Sequence, residues 1–148
     1  MTTYWDIMTV TVDNQSGYNL SCGSIGALEH GEWNDYPTSS IASGATTEAF
    51  SIRSLNASEV GPGPGSVSYG LPDGAALNIS FDMIFVVGGT SYVTAAISGA
   101  TASRYKVAFS TCQQEGWHGQ GKRFNATIQV TVNPAGPTSA TCSKSHDD

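Results

Sequence analysis

Val67-Ser68-Tyr69-Gly70-Leu71-Pro72-Asp73-Gly74-Ala75-Ala76-Leu77-Asn78-Ile79-Ser80-Phe81 is the stretch that decides the fold class. Val67, Tyr69 and Leu71 alternate with small or polar residues on the way in, and Leu77, Ile79 and Phe81 alternate on the way out. A period of two puts every second side chain on one face of an extended chain. Pro72-Asp73-Gly74 supplies the turn chemistry that reverses it. The segment therefore reads as an antiparallel hairpin with one apolar face and Ser66, Ser68, Asn78 and Ser80 on the other.

The same alternation extends outward from this hairpin. Met8, Val10 and Val12 alternate with Thr9 and Thr11, and Phe50 and Ile52 alternate with Ser51 and Arg53. Further strands are expected over 91–97, 104–111 and 122–132, the last presenting Phe124, Ala126, Ile128, Val130 and Val132 on one face. Gly61-Pro62-Gly63-Pro64-Gly65 reads as a loop, because proline lacks a ladder donor and glycine weakens a strand. No stretch holds a 3.6-residue period beyond two turns, which leaves room for one helical turn near 54–60. Eight or nine short strands with frequent turns predict an all-β, single-domain antiparallel sandwich over 1–137. Residues 138–148 read as a polar, disordered tail.

Bulk composition narrows the function classes. The chain has 148 residues, a net charge of −6 and only 12 % charged residues, about half the usual share near 25 %. Hydroxyls, amides and glycine must cover the surface, which lowers repulsion between copies and eases self-association or membrane contact. The acidic balance argues against nucleic acid and against purely electrostatic attraction to anionic lipid. Five of the six basic residues, Arg104, Lys106, Lys122, Arg123 and Lys144, lie beyond residue 100. The longest apolar run, 83–87, is too short to span a bilayer as a helix or to serve as a signal-peptide core, so the chain is expected to stay inside its cell, to be secreted or released without a classical signal peptide, or to have been processed already.

Cys22, Cys112 and Cys142 are odd in number: either one bridge forms, with Cys112–Cys142 the favoured pairing, or all three stay reduced. Asn-x-Ser/Thr sequons begin at Asn14, Asn19, Asn56, Asn78 and Asn125. Catalytic groups are sparse. His30, His118 and His146 stand outside any ligand spacing, the cysteines are unpaired in sequence, and neither a nucleophile elbow nor a phosphate loop occurs. The expectation is a protein without enzymatic activity, bound metal or cofactor.

Aromatic residues are the better candidates. Trp5, Trp33 and Trp117 lie in segments rich in Gly, Asn, Gln or Glu. Such a tryptophan is either a lid over the core or an exposed anchor suited to a sugar face or a lipid headgroup layer. In 81–92 an apolar segment containing Phe85, Val86 and Val87 leads through Gly88-Gly89 to Tyr92; it is either sandwich core or an exposed binding patch.

Several motifs in order resemble the aegerolysin family, including its bacterial insecticidal members. Val12-Asp13-Asn14 and Gly17 precede an apolar strand; Leu28 through Gly31-Glu32-Trp33 leads to Pro37; Phe50 sits at a strand centre. Gly65-Ser66-Val67-Ser68-Tyr69 resembles the family's Gly-x-apolar-x-Tyr strand. Phe81-Asp82-Met83-Ile84-Phe85-Val86-Val87-Gly88 resembles its aromatic-Asp-x-Pro-aromatic-x-Gly loop, with Met83-Ile84 in place of the proline and one residue added before Gly88. The likeness covers 8–132, while 112–121 lacks a secure counterpart and the tail is extra. It implies an actinoporin-like sandwich without enzymatic activity that recognises neutral or zwitterionic membrane lipids, sphingolipids above all, at a target-cell membrane. Action with a larger pore-forming partner protein is also implied. The contact residues expected on this reading are Trp33, Tyr36, Asp82, Phe85, Tyr92, Trp117 and His118. Two other classes fit the residues: a carbohydrate-binding, lectin-like module using an exposed tryptophan, and a self-assembling structural or storage protein.

Overall fold

Alternating apolar residues become paired strands throughout the computed structural model, which describes residues 6–54, 63–84, 88–116 and 121–145. The described strands are β1 (Ile7–Gln15), β2 (Leu20–Ile25), β3 (Glu32–Asp35), β4 (Ser40–Ile41), β5 (Thr46–Arg53) and β6 (Gly63–Gly70). They continue as β7 (Ala76–Met83), β8 (Thr90–Ser98), β9 (Tyr105–Glu115), β10 (Arg123–Val132) and β11 (Ser139–Ser145). A five-stranded sheet runs β3-β5-β1-β10-β9, and a six-stranded sheet runs β11-β8-β7-β6-β2-β4. All pairings are antiparallel except β1 with β10, which run parallel from Ile7↔Arg123 to Gln15↔Thr131. The fold is an all-β sandwich, as the sequence predicts.

The core lies between the sheets. Met8, Val10 and Val12 of β1, Phe124, Ala126, Ile128 and Val130 of β10, and Leu77, Ile79 and Phe81 of β7 are all buried. In the hairpin that decides the class, β6 pairs with β7 from Gly63↔Met83 to Gly70↔Ala76. Leu71 closes its turn: its N–H donates to the Ala75 carbonyl at 2.8 Å, and its carbonyl accepts from Gly74 N–H at 3.2 Å. Gly74 takes φ +93° there, which glycine adopts without a Cβ clash.

Three expectations are corrected, and a fourth falls largely outside the described residues. First, β6 begins at Gly63 and carries Pro64 opposite Asp82, where a loop is expected over 61–65. The proline is tolerated because β2 pairs β6 only as far as Ile25↔Val67, so no ladder on that side needs its missing donor. Second, residues 139–145 are not a disordered tail but strand β11, paired with β8 from Ser139↔Ala96 to Ser145↔Thr90. The physical reason is a Cys112–Cys142 disulfide that joins β9, at the edge of one sheet, to β11, at the edge of the other; Cys22 is the free thiol. Third, Val132 does not share the buried face of β10, because the strand runs past the edge of the core and leaves it 61 % exposed. Fourth, a short 3-10 turn falls at Ala102–Arg104, whereas the helical turn expected near 54–60 lies largely outside the described residues.

Strand register defines two ends. Ile7, Arg53, Glu115 and Arg123 meet at one, and Gln15, Tyr105, Val132 and the Asp73 turn meet at the other. The basic residues therefore divide between ends instead of gathering on one edge: Arg104 and Lys106 lie at the second, Lys122 and Arg123 at the first.

Candidate functional site

The described residues expected to touch a ligand form two pairs, Trp33 with Tyr36 and Asp82 with Tyr92. Trp33 lies on edge strand β3, half-buried, with its indole edge-on to Phe50 of β5 (5.7 Å between ring centroids) and to Phe81 of β7 (6.4 Å). It thus spans from one sheet to the other and acts as a lid over the core. Tyr36 packs edge-on against its outer side at 5.8 Å and is 64 % exposed. Asp82 and Tyr92 are direct cross-strand partners on the outward face of the six-stranded sheet. Burial, followed by the charge of Glu29, pushes the Asp82 carboxyl above its ordinary range, and its buried Oδ1 has no hydrogen-bond partner among the described residues. Phe85, Trp117 and His118 lie outside the described residues. Among the described residues, no group of three or more His, Cys, Asp or Glu side chains is placed to hold a metal.

A third grouping, at the opposite end, is invisible to local sequence reading. Ser16, Gly17 and Tyr18 from the β1–β2 connection, Arg104 and Tyr105 at the start of β9, and Val132 at the end of β10 line an open pocket of about 290 Å³. Tyr18 is 41 % exposed and Val132 61 % exposed beside it. Parallel pairing of β1 with β10 and the Val132↔Tyr105 register bring these three distant stretches together. The one sequence signal was the late concentration of basic residues, which includes Arg104.

Asn14, behind the lining, holds the Ser16–Tyr18 wall of this pocket in place. Fully buried, it donates from Nδ2 to the carbonyls of Tyr18 (2.8 Å), Ile41 (3.0 Å) and Ala42 (3.2 Å). Its Oδ1 accepts from Ser16 N–H (3.2 Å) and Ser16 Oγ (2.6 Å). A side chain so enclosed excludes glycan addition at the Asn14 sequon in the folded protein. The floor is held by Asp73, whose Oδ2 accepts the Tyr105 hydroxyl at 2.5 Å and whose Oδ1 accepts Ala75 N–H at 3.2 Å. The Tyr105 bond is the main reason the Asp73 carboxyl lies below its ordinary range, with Arg104 contributing from 3.7 Å. Burial, then Asp73 itself, raises the Tyr105 phenol.

Tyr105→Phe removes that bond and leaves the Asp73 carboxylate short of a donor. A melting temperature lower by roughly 2–8 °C near neutral pH is the expected result. A carboxyl whose folded pKa is depressed stabilises the fold above its unfolded value, and the contribution disappears as pH falls through the folded value. The gap between wild type and Tyr105→Phe should therefore close in acid, below the usual carboxylate range. Calorimetry of both proteins across pH checks this, and a gap that widens in acid would refute the assignment.

No family model and no curated protein matches the chain. Among solved structures it is similar to the crystal structure of the lipid binding protein Nakanori, with 14 % identity and a TM-score of 0.55 over 85 % of this chain and 70 % of that one. It also aligns with the RahU protein crystallised with a TRIS molecule, at 16 % identity and a TM-score of 0.48 over 88 % and 96 % of the two chains. At such identity the likeness to Nakanori shows the shared fold, an all-β sandwich.

Proposed function

We propose that this chain is a membrane-lipid-binding, non-enzymatic sandwich of the aegerolysin kind, and that lipid meets it at the Tyr18–Arg104–Val132 pocket. The observation that carries this reading is the chemistry of the rim: two exposed apolar side chains flank a guanidinium that is 62 % exposed. An amphiphile matches such a rim, with its polar group on the guanidinium and its apolar part against tyrosine and valine. At about 290 Å³ the pocket suits a headgroup and not an acyl chain. Of the four large hydrophobic residues exposed among those described, three are tyrosines (Tyr18, Tyr36 and Tyr92), whose apolar ring and polar tip suit the headgroup layer. Nakanori, which shares the fold, is a lipid binding protein.

The finer reading follows from the resemblance and from charge. A chain of net charge −6 gains nothing from anionic membranes, so neutral or zwitterionic lipids are the proposed targets, sphingolipids above all. Perforation of a target cell, with the insecticidal or haemolytic outcome that the family implies, would need a larger partner. A disulfide agrees with release into an oxidising environment.

Sedimentation with vesicles of defined composition tests the proposal. Wild type should pellet with zwitterionic vesicles, and binding should change less than about threefold between low and high salt, because screening acts on exposed charge and not on buried apolar area. Tyr18→Ala and Val132→Ser should each weaken binding more than about tenfold if they are anchors. Tyr36→Ala probes the rival edge of β3. It is a cleaner probe than Trp33→Ala, which would also open the contact with Phe50 and Phe81. If only Tyr36→Ala loses binding, the contact moves to that edge. If wild type stays in the supernatant with every lipid but binds a glycan array, the lectin reading replaces this one.

A further inference from the structure

We propose that the Cys112–Cys142 bridge is a redox-sensitive lock on β11: reduction releases the C-terminal strand and uncovers the β8 edge of the six-stranded sheet, while the remaining sandwich stays folded. The inference starts from how little else holds β11. Of Ser139-Ala140-Thr141-Cys142-Ser143-Lys144-Ser145, only Cys142 is buried and Ala140 half-buried; the other five are exposed. Aligning seven residues costs backbone entropy that one buried side chain and an edge ladder offset weakly. Beyond that ladder, the described side-chain hydrogen bonds are Thr94 with Thr141 at 3.0 Å, Thr90 with Ser145 at 3.4 Å, and Gln114 Nε2 donating to the Ser145 carbonyl at 3.1 Å. Backbone bonds from Ile97 N–H to the Thr138 carbonyl and from Val107 N–H to the Pro137 carbonyl, both 2.8 Å, hold only the approach to the strand. β11 also lies beside β9, but it turns little apolar surface toward it. Covalent attachment to β9, with Cα atoms 5.7 Å apart, keeps the strand in place.

Reductant can reach the bridge. Cys112, Gln113, Gln114, Glu115 and Lys144 line an open pocket of about 440 Å³, and Cys112 is partly exposed while Cys142 is buried. A dithiol reductant enters this pocket as its thiolate and attacks Cys112 Sγ, forming a mixed disulfide. The S–S bond to Cys142 breaks, and Cys142 leaves as a thiolate that takes up a proton. The reductant's second thiol then displaces Cys112, so two protein thiols form and the dithiol is oxidised to its disulfide. Release of β11 leaves the N–H and C=O groups on one side of Thr90–Ser98 unpaired, the kind of edge to which another strand can add.

Hydrogen–deuterium exchange read peptide by peptide tests the lock, in a Cys22→Ser background so that the free thiol cannot enter the exchange. After treatment with a dithiol, β11 and the facing amides of β8 should exchange at least about tenfold faster, while β1 and β10 keep their protection. Trypsin should then cut after Lys144 but remain slow after Arg123, which sits inside the five-stranded sheet. The double variant C112S/C142S should behave like the reduced protein without any reductant. Unchanged β11 protection in both the reduced protein and the double variant would overturn the proposal. So would a loss of protection in β1 and β10 together with β11, since the bridge would then be a staple for the whole domain and not a lock on one strand.

Discussion

Phe81→Ala is expected to cost about 3–5 kcal/mol, a large part of the total stability of a domain this size. Phe81 is 1 % exposed and lies where the two sheets and the β3 edge meet. Its ring is 5.4 Å from that of Phe50 and 6.4 Å from that of Trp33. It also lies across Gly65 of the paired strand: a Cβ on Gly65 would overlap Phe81 Cζ, so the ring occupies space that any other residue there would claim. Alanine at 81 removes the partner of two aromatic side chains and the cover over Gly65 at once, and a rigid sheet cannot collapse into the gap. Trp33 would lose one of its two core contacts, leaving its lid loosely seated and Tyr36 with it. Urea unfolding should show a lower midpoint with an unchanged slope. Gly65→Ala probes the same contact from the other strand and should cost about 1–3 kcal/mol by displacing the ring. If Phe81→Ala costs less than about 1 kcal/mol, the aromatic cluster is not the joint between the sheets.

The strands that carry this core were legible because burial on one face writes a period of two into the residues. Leu77, Ile79, Phe81, Ile128 and Val130 could be assigned inward from alternation alone, and all are buried. The last strand was not legible for the opposite reason: Ser139–Ser145 contains almost no apolar signal, and its order depends on a covalent bond to Cys112, 30 residues earlier. Val132 continued the alternation of β10, and nothing in the chain marks where the core ends. The pocket was hidden more deeply. Tyr18, Arg104 and Val132 are each unremarkable locally and become neighbours only through a parallel pairing of the first strand with the tenth. Its sequence context leaves Trp33 either lid or anchor. Its contacts make it a lid, and the exposed aromatic beside it is Tyr36. Asp82 and Tyr92 are direct partners across β7 and β8, a juxtaposition that depends on strand register and is not written in either local segment.

Asn14→Ala should be almost as damaging as loss of Phe81, through polar groups and not apolar ones, and should reach function as well as stability. The fully buried Asn14 amide shares its two N–H groups among three carbonyls and accepts from both donors of Ser16. Its backbone adds two more across the same junction: its N–H donates to the Ala45 carbonyl at 2.9 Å, and its carbonyl accepts from Gly44 N–H at 2.8 Å. Together they tie the end of β1 to the turn carrying Tyr18 and to the β4–β5 connection. A buried polar group left without a partner costs about 1–3 kcal/mol, and alanine orphans several, some of which water can reach near Tyr18; a net loss of about 3–4 kcal/mol follows. Asn14→Asp separates the donors from the acceptor. It keeps the acceptor for Ser16 but turns an oxygen toward three carbonyls, so it should be at least as unstable as alanine near neutral pH. Its carboxyl, raised in the fold above its unfolded value, would recover part of the loss as pH falls through the folded value and a proton restores one donor. Thermal unfolding of both variants across pH reads this directly. The same bonds position Tyr18, so each variant should also bind zwitterionic vesicles less tightly at temperatures where it is fully folded. A folded Asn14→Ala protein that binds vesicles like wild type would separate the Asn14 network from the pocket and leave it a purely structural junction.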